Sequence, residues 1–391
     1  MNRITRVRAC PLFASFASAF GAAQNVPAEL LAPSSQFQFI PRLGQYSTLV
    51  LIETEDGHVG LGECYGLPHP MASAVLVANL AAPLLVGVDL SQVGSVLQRL
   101  RDYCVAQGNS RGPAMEMLSG LDIALFDLRA KLAGLPLHAL LGRETAAPVK
   151  TYASPVPLCE TPEMSVEAAL GFVKSGFDAL KLKIGREPRR DIEHLEAVRA
   201  AVGPDVMLMV DANCAYDLKQ AAMLAPKLAD FNVAWFEEPL RSDDPDDYLA
   251  LRRCSSVPIA AGEGEFTAER LTEFLRRGAL DIVQPNVTRA GGVSGLLAIA
   301  QLCHKYGARF SPHGVGSAIG VAAALHVCVA APEAFDSYEA NCLVNALRNQ
   351  LTVESLAIED GWYQVPPGPG LGVSLRAGVL ERYGMALPRL G

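Results

Sequence analysis

The chain has 391 residues, of which 50% are hydrophobic, so it carries enough apolar side chain for more than one compact unit. Its formal net charge of -8 provides no basic field for phosphate backbones or acidic membranes, which argues against a nucleic acid or membrane partner. No run of 18 or more apolar residues occurs, and the nine cysteines lack the close spacing of metal or disulfide motifs. We therefore expect a cytoplasmic protein with reduced thiols.

The first segment supports two interpretations. Residues 1–24, MNRITRVRACPLFASFASAFGAAQ, place three arginines before small and apolar residues, as in a secretory signal peptide. Pro11 and serines interrupt that apolar run, and ITRVRAC is also typical of a strand followed by a flexible loop. We favour the strand.

A predicted hairpin and a predicted helix follow this segment. The stretch YSTLVLIETEDGHVGLGECYG begins near residue 45 and has two apolar strands around a Glu-Asp-Gly turn, which predicts antiparallel sheet. Residues 113–141 place apolar side chains at helical spacing as far as the break at Gly134-Leu135-Pro136. Strands followed by helices predict an α+β domain over residues 1–140.

From VKTYAS onward, short apolar strands and amphipathic helices alternate. The strands FDALKLKIG, VMLMVDAN, VAWFEEP, VPIAAGE, LDIVQPN and ARFSPHG recur at intervals of roughly two dozen residues. About eight such units favour an α/β fold with a closed (β/α)8 barrel over residues 141–355, and no glycine-rich turn supports a dinucleotide-binding sheet instead. The tail over residues 356–391 is hairpin-like again, and we expect it to return to the first domain.

Acidic side chains end three consecutive strands of the predicted barrel. Asp211, Glu237 and Glu263 are 26 residues apart, so successive strands carry one carboxylate each to the end where barrel enzymes have their active sites. Converging carboxylates repel one another, and a divalent cation removes that conflict. All-oxygen ligands favour Mg2+, with Mn2+ also possible, over Zn2+. Capping of the following helices is the alternative, and it explains one such acid better than three.

Two lysines interrupt the strand that precedes Asp211. In DALKLKIG, Lys181 and Lys183 share one face of the strand, while the apolar side chains share the other. Both ammonium groups can therefore point into the barrel mouth beside the cation. Like charge and apolar surroundings should lower a lysine pKa toward the range in which lysine acts as a base.

Two further candidates end later strands. His313 follows a strand in SPHG, and Glu339 in SYEAN ends the predicted eighth strand. His313 belongs to the far side of the barrel mouth from the lysines. A lone histidine is more often structural than catalytic, but the strand-end position makes His313 a candidate.

These motifs resemble the enolase superfamily, specifically its mandelate racemase and muconate lactonizing enzyme group. The resemblance spans nearly the whole chain, through VGLGE, LSGLDIALFDLRAKLAGLP, KLKIG, DAN, EEP, GE, QPN, PHG and GPGLG. It implies a modified TIM barrel under an α+β capping domain, with loops near residues 13–43 and 64–71 closing on the substrate. The stretches GECYG and PHGVG resemble galactarolactone cycloisomerase-like members.

The resemblance also implies a chemistry, which is abstraction of the proton α to a carboxylate to give an enediolate. The three strand-end acids would bind Mg2+. Lys183 would be the base with Lys181 beside it, and His313 would face Lys183 across the substrate. Glu339, if protonated, would donate a hydrogen bond to the other carboxylate oxygen of the substrate.

Asn286 departs from the family pattern. Members with a His-Asp pair have QPD where this chain has QPN, 27 residues before His313. Asp281 is no substitute, since it begins the same strand and should lie at the opposite end of the barrel. Without the carboxylate, His313 has less support as an imidazolium, which weakens a racemase that needs a base on each face.

We therefore expect a Mg2+-dependent acid-sugar dehydratase, in which Lys183 removes the α-proton and His313 assists departure of the β-hydroxyl. The alternatives in the same family are a racemase or epimerase and a sugar-lactone cycloisomerase. A Schiff-base aldolase that uses Lys181 or Lys183, and a binding protein without catalysis, are alternatives from other classes. The expected partners are a small carboxylate, either an acid sugar or its lactone, and further copies of the chain in a homo-oligomer.

Overall fold

The computed structural model describes residues 2–241 and 244–387 of the chain. Its first part contains an antiparallel sheet in the order β1-β2-β3, with strands Ile4–Ser15, Gly44–Thr54 and Val59–Cys64. β1 pairs with β2 from Ile4 to Ser15. The strand interpretation of the first segment is therefore confirmed.

The described residues of this part of the chain also form seven α-helices. They are α1 Phe16–Ala19, α2 Ala28–Leu31, α3 Met71–Leu76, α4 Ala82–Leu85, α5 Val93–Ala106, α6 Pro113–Leu132 and α7 Leu137–Leu140. Of these, α3 to α6 cover one face of the sheet. Alternate residues of β2 face opposite sides of the sheet. Val50 and Ile52 pack with α3–α6, whereas Leu49 and Leu51 belong to the core of the rest of the molecule. This part of the chain, hereafter the cap, thus shares a core with the barrel below it.

The described residues contain eight parallel barrel strands. They are β4 Val149–Val156, β5 Ala179–Lys183, β6 Met207–Asp211, β7 Val233–Glu237, β8 Ile259–Ala261, β9 Ile282–Val283, β10 Arg309–Phe310 and β11 Tyr338–Asn341. β4 to β10 pair in chain order, and β11 pairs with β4. The circle is completed by Phe310, whose N–H donates to the Ala334 carbonyl at 2.8 Å and whose carbonyl accepts from the Asp336 N–H at 2.9 Å. The predicted fold class is confirmed.

Helices connect these strands on the outside of the barrel. They are α8 Pro162–Lys174, α9 Pro188–Val202, α10 Leu218–Asp230, α11 Pro245–Cys254, α12 Ala268–Arg277, α13 Gly292–Tyr306 and α14 Ala318–Ala330. The eighth strand is followed by α15 Ala346–Asn349, which has four residues, so the last unit departs from the regular repeat. Among the described residues, no helix combines the length and the apolar composition that crossing a bilayer requires.

The C-terminal segment differs in part from the expectation that it returns to the cap. Its hairpin, β12 Ile358–Glu359 and β13 Trp362–Tyr363, pairs with the barrel strand β4 through Val149 and Lys150. These two residues precede the part of β4 that β11 covers, so the hairpin extends an edge that is free there. The return to the cap begins near Leu371, whose N–H donates to Asp127 Oδ1 of α6 at 2.7 Å, and continues with α16 Val379–Tyr383 and a hydrogen bond from the Met385 N–H to the Pro11 carbonyl.

Candidate active site

The three strand-end acids lie together at the carboxyl end of the barrel. Asp211 and Glu237 end β6 and β7, and Glu263 lies two residues beyond β8. Each offers a carboxylate oxygen, and these three oxygens lie within 4.8 Å of one another. The helices that follow are capped by other side chains, namely Asp217, Asp244 and Thr267. Helix capping therefore does not account for the acids.

The chemistry of this cluster fits a divalent cation. Burial and the neighbouring Asp211, Glu339 and Glu263 raise the pKa of Glu237 to about 8, even though Lys181 lowers it. Oε2 of Glu263 is buried, and the contact found for it among the described residues is His313 Nε2 at 3.1 Å, which leaves lone pairs free for a cation. Carboxylate oxygens that repel one another and have a spare lone pair are the ligands that Mg2+ and Mn2+ prefer.

Both lysines of β5 point into this cluster, in different surroundings. Lys181 is 1% exposed, and its Nζ lies 2.5 Å from Glu237 Oε1 and 3.1 Å from Glu339 Oε1. Lys183 is 12% exposed in its side chain, and its Nζ donates to Asp211 Oδ2 at 2.5 Å and to Asn213 Oδ1 at 2.6 Å. Lys181 is thus enclosed by acids below the cluster, whereas Lys183 reaches the open cavity.

Without a cation, the protein groups raise the pKa of both lysines, which is opposite to the direction expected beside a cation. Burial lowers the pKa of Lys181, but Glu237 and Glu339 raise it by more, and the net pKa is well above the ordinary value. Burial and Lys181 likewise lower the pKa of Lys183, and Asp211 with other acids outweighs them. Mutual repulsion of the two ammonium groups is therefore smaller than their attraction to the carboxylates.

His313 lies opposite the lysines and contacts Asn286. Nε2 of His313 is 3.1 Å from Glu263 Oε2 and 3.6 Å from Glu339 Oε2. Its Nδ1 is 3.0 Å from Nδ2 of Asn286, whose Oδ1 accepts from the N–H of Thr288 at 2.9 Å. Asp281 binds the Ile259 N–H at the other end of the strands, as expected.

The protein groups around Glu339 favour its ionised form, in contrast to the protonated form expected from the sequence. Burial raises the pKa of its carboxyl, but Lys181, His313 and hydrogen bonds from Ser154 and Gly314 together hold it well below the usual range. Ser154 Oγ donates to Oε1 at 2.5 Å and the Gly314 N–H donates to Oε2 at 2.8 Å. The carboxylate accepts these bonds and has no proton to donate.

Several site residues were missed from the sequence. Asn213 accepts a hydrogen bond from Lys183, and Gln284 donates to Glu237 Oε2 at 2.6 Å. Glu238 is buried next to the cluster, where burial and the acids Glu263, Asp211 and Glu237 raise its pKa well above the usual value. The signal was present, because these residues belong to the strand-end triplets DAN, QPN and EEP.

A cavity of about 480 Å³ lies between the barrel mouth and the cap. Lys183, Glu263 and His313 form part of its floor. Residues 33–46 and 65–68 of the cap line the other side, which include Arg42, Tyr46, Tyr65 and Leu67. Both segments overlap the loops expected to close on a substrate. The volume of the cavity is typical of a small-molecule site.

Comparison with protein families matches both parts of the chain. Residues 33–142 match the mandelate racemase / muconate lactonizing enzyme N-terminal domain, and residues 164–379 match the enolase C-terminal domain-like family. A barrel under such a cap defines an enzyme class, the enolase superfamily. Within it, the chain belongs to the mandelate racemase and muconate lactonizing enzyme group.

Individual relatives cover most of the chain. D-galactarolactone cycloisomerase of Agrobacterium fabrum is 33% identical over 87% of this chain and 92% of its own length. Arabinonate dehydratase of Saccharolobus solfataricus is 33% identical over 85% of this chain and 89% of its own length. The crystal structure of L-talarate dehydratase from Polaromonas sp. JS666 with magnesium and L-glucarate is similar with a TM-score of 0.84, 28% identity and 98% coverage of both chains. The chain is therefore an enzyme of the lyase or isomerase class.

Proposed function

We propose that the protein is a Mg2+-dependent dehydratase of an acid sugar. The observation that carries the proposal is the orientation of Asn286 beside His313. Its Oδ1 accepts from the Thr288 N–H, and its Nδ2 donates to the Val315 carbonyl at 2.7 Å. A backbone N–H only donates and a carbonyl only accepts, so the amide cannot be reversed without losing both bonds. Nδ2 therefore faces His313 as a donor.

This orientation assigns the proton of the neutral imidazole. Because Nδ1 of His313 accepts from Asn286, the proton lies on Nε2, the nitrogen that faces Glu263 and Glu339. A protonated Nε2 can give its proton to a leaving hydroxyl, but it cannot take an α-proton. The arrangement supports elimination with His313 as the acid, and it disfavours racemisation by two bases.

Lys183 would begin the proposed reaction. Its Nζ, as the neutral amine, takes the α-proton, and the electron pair of that C–H bond stays on the substrate as an enediolate. The pair then forms a double bond to the β-carbon as the C–O bond breaks, and His313 Nε2 supplies the proton with which the hydroxyl leaves as water. The resulting enol loses its O–H proton and takes up a proton at the β-carbon, which gives a 2-keto-3-deoxy acid. Lys183 then releases the α-proton to solvent and His313 recovers a proton, so both groups return to their starting forms.

Asp211, Glu237 and Glu263 would hold the Mg2+ ion, which when bound supplies Lewis-acid stabilisation of charge on the substrate carboxylate. The magnesium in the L-talarate dehydratase structure supports this choice of cation. Lys183 also depends on the charge of a bound cation, because the carboxylates alone hold its pKa above the ordinary value. Mn2+, which takes similar ligands, is expected to substitute.

A second candidate is cycloisomerisation of a sugar lactone. It is favoured by the 33% identity to D-galactarolactone cycloisomerase over 87% of this chain. The first step, removal of the α-proton by Lys183, would be the same. The two candidates differ in mass balance, since dehydration releases one water and cycloisomerisation leaves the mass unchanged.

The test is a screen of acid sugars and their lactones with Mg2+, run in H2O for the mass of the product and in D2O for α-proton exchange. We expect a 2-keto product, detected with semicarbazide, that is lighter than its substrate by one water. EDTA should abolish turnover without altering the circular dichroism of the fold, and Mg2+ should restore it. Lys183→Ala should slow α-proton exchange by about 10²–10⁴-fold, whereas Lys174→Ala at an exposed position should not.

Three other outcomes of this test would contradict the proposed dehydratase. A product of unchanged mass would replace dehydration by isomerisation, and turnover that persists after EDTA treatment and dialysis would remove the enediolate mechanism. A protein–substrate adduct trapped with borohydride would indicate a Schiff-base aldolase.

A further inference from the structure

One cation of the cavity has no carboxylate partner. Arg42, Lys183 and Arg289 all line the cavity. Lys183 is paired with Asp211, and Nε of Arg289 lies 3.6 Å from Oε1 of Glu116. Among the described residues, no carboxylate forms an ion pair with Arg42. The charge of Arg42 is thus the one that a ligand in this cavity could neutralise without displacing a protein acid.

The surroundings of Arg42 make its isolation costly. Its guanidinium lies over the rings of Phe16 and Phe37, at 5.9 and 5.4 Å from their centroids. Its Nε is buried without a hydrogen-bond partner among the described residues. Burial lowers the pKa of Arg42, which reflects the poor solvation of the charge. Arg42 is half-buried and its partners are neutral, so its charge is incompletely compensated until an anion binds it.

Gln45 holds the guanidinium in a defined position. Arg42 Nη2 donates to Gln45 Oε1 at 2.6 Å. The orientation of the Gln45 amide is determined at its other end, where Nε2 donates to the Val344 carbonyl at 3.1 Å. Gln45 is 6% exposed, so this support is buried. The remaining N–H groups of Arg42 are therefore positioned in advance of ligand binding.

We propose that Arg42 binds a second carboxylate of the substrate, at the end remote from the carbon that loses its proton, so that the substrate is a dicarboxylic acid sugar. This inference rests on the proposed function for the identity of the reacting end. Arg42 belongs to the cap side of the cavity, whereas Lys183, Glu263 and His313 belong to the barrel side. An extended substrate can therefore contact both.

The chemistry of the subsite fits a carboxylate better than a phosphate. One guanidinium matches a single negative charge, and its planar fork can donate two parallel hydrogen bonds to the two oxygens of a carboxylate. A phosphate group carries about two negative charges at neutral pH and is usually met by several cations. Arg289, the other arginine in the cavity, is already close to Glu116.

The test compares dicarboxylic acid sugars with the matched monocarboxylic sugars that end in a primary alcohol. Both series are assayed for turnover and for α-proton exchange with D2O, in the unmodified enzyme and in Arg42→Gln. We expect the unmodified enzyme to prefer dicarboxylates, and Arg42→Gln to reduce that preference in kcat/KM by about 10- to 100-fold. Arg42→Lys should retain part of the preference, and Arg99→Gln on the exposed face of α5 should retain all of it.

Binding separates failure of this inference from failure of the proposed function. Thermal stabilisation by each ligand is measured with Mg2+ present, which does not require turnover. If no sugar acid exchanges its α-proton, the proposed function fails, and the subsite is still judged by whether dicarboxylates stabilise the unmodified enzyme more than Arg42→Gln. Equal use and equal binding of the two series by the unmodified enzyme would overturn the inference. An equal loss on both series in a folded Arg42→Gln enzyme would also overturn it.

Discussion

The side chain at position 286 determines which nitrogen of His313 carries the proton in the neutral ring. Asn286→Asp replaces an N–H donor by an oxygen, so Nδ1 must become the donor and the lone pair moves to Nε2. We expect this variant to lose dehydration and to gain exchange at the second face of the substrate. The new oxygen also faces the Val315 carbonyl, so a loss of about 1–3 kcal/mol in stability should accompany the change.

The tautomer can be measured directly in both proteins. With 15N-labelled histidine, the unmodified enzyme should show a protonated Nε2 and an unprotonated Nδ1 at His313, and Asn286→Asp should show the reverse. Signals are assigned with His313→Gln, and Asn349→Asp, an exposed substitution, serves as the control. A His313 tautomer that does not respond to Asn286→Asp would contradict the role given to Asn286.

At the residue scale, the positions of the site side chains could be predicted better than their ionisation states. The alternation of side chains along DALKLKIG was sufficient to place Lys181 and Lys183 on one face of β5. Glu237 and then Glu339 raise the pKa of Lys181, and Lys181 in turn lowers the pKa of Glu339 through the contact between Lys181 Nζ and Glu339 Oε1, 3.1 Å apart. That contact joins the second and eighth barrel strands, and the strand patterns contain no information on its distance.

At the scale of elements, the cap depends on a close approach of β3 to α6. A Cβ atom added at Gly62 would lie 1.9 Å from the carbonyl oxygen of Gly120 and 2.8 Å from the N atom of Ala124, both in the backbone of α6. Backbone atoms cannot move aside as a flexible side chain can. Gly62→Ala should therefore destabilise the protein by about 1–3 kcal/mol through overpacking.

Gly94 supplies the matched control for this substitution. It lies in α5, and a Cβ atom added there meets nothing within 4 Å. Gly94→Ala should stabilise the protein by up to about 1 kcal/mol, because alanine favours the helix more than glycine does. Denaturant unfolding of both variants measures the difference, and equal stabilities would show that β3 can move away from α6 without cost.

The helices and strands were predictable from the sequence, but the pairing of strands with one another was less predictable. The period of the apolar residues predicted the β2–β3 hairpin and the barrel strands, because each pattern is local. The hairpin β12–β13 was also predicted, but its pairing with β4 was not. A two-residue strand carries no preference for a partner, so the free edge of β4 near Val149 decided its place.

At the scale of the whole molecule, the joining of cap and barrel depends on buried polar contacts that no local pattern predicts. Glu63 of β3 accepts hydrogen bonds from the Ser317 N–H at 2.8 Å and the Gly320 N–H at 2.7 Å, at the start of α14. A carboxylate is favourable there because the first N–H groups of a helix lack partners within the helix. The sequence predicted both parts of the molecule, but it did not predict this junction between them.

His326 is a second junction, between α14, α7 and the C-terminal segment. It is fully buried, its Nδ1 accepts from the His138 N–H at 3.2 Å, and its Nε2 lies 3.3 Å from the Leu371 carbonyl oxygen. These contacts suit a neutral ring with the proton on Nε2. Burial lowers the pKa of His326 from 6.5 to about 4.

This lowered pKa predicts a loss of stability in mild acid. Below pH 6.5 the unfolded chain binds a proton at His326 that the folded protein does not, so the stability present above pH 6.5 declines as pH falls toward 4. The contribution of His326 to the free energy of unfolding falls by about 2 kcal/mol between pH 7 and pH 5. His326→Gln should remove this contribution and make the free energy of unfolding less dependent on pH. His304→Gln, at an exposed position, should leave the pH dependence unchanged. Unfolding free energies at the two pH values provide the measurement, and the same slope in His326→Gln as in the unmodified protein would mean that the folded protein accepts the proton at no cost.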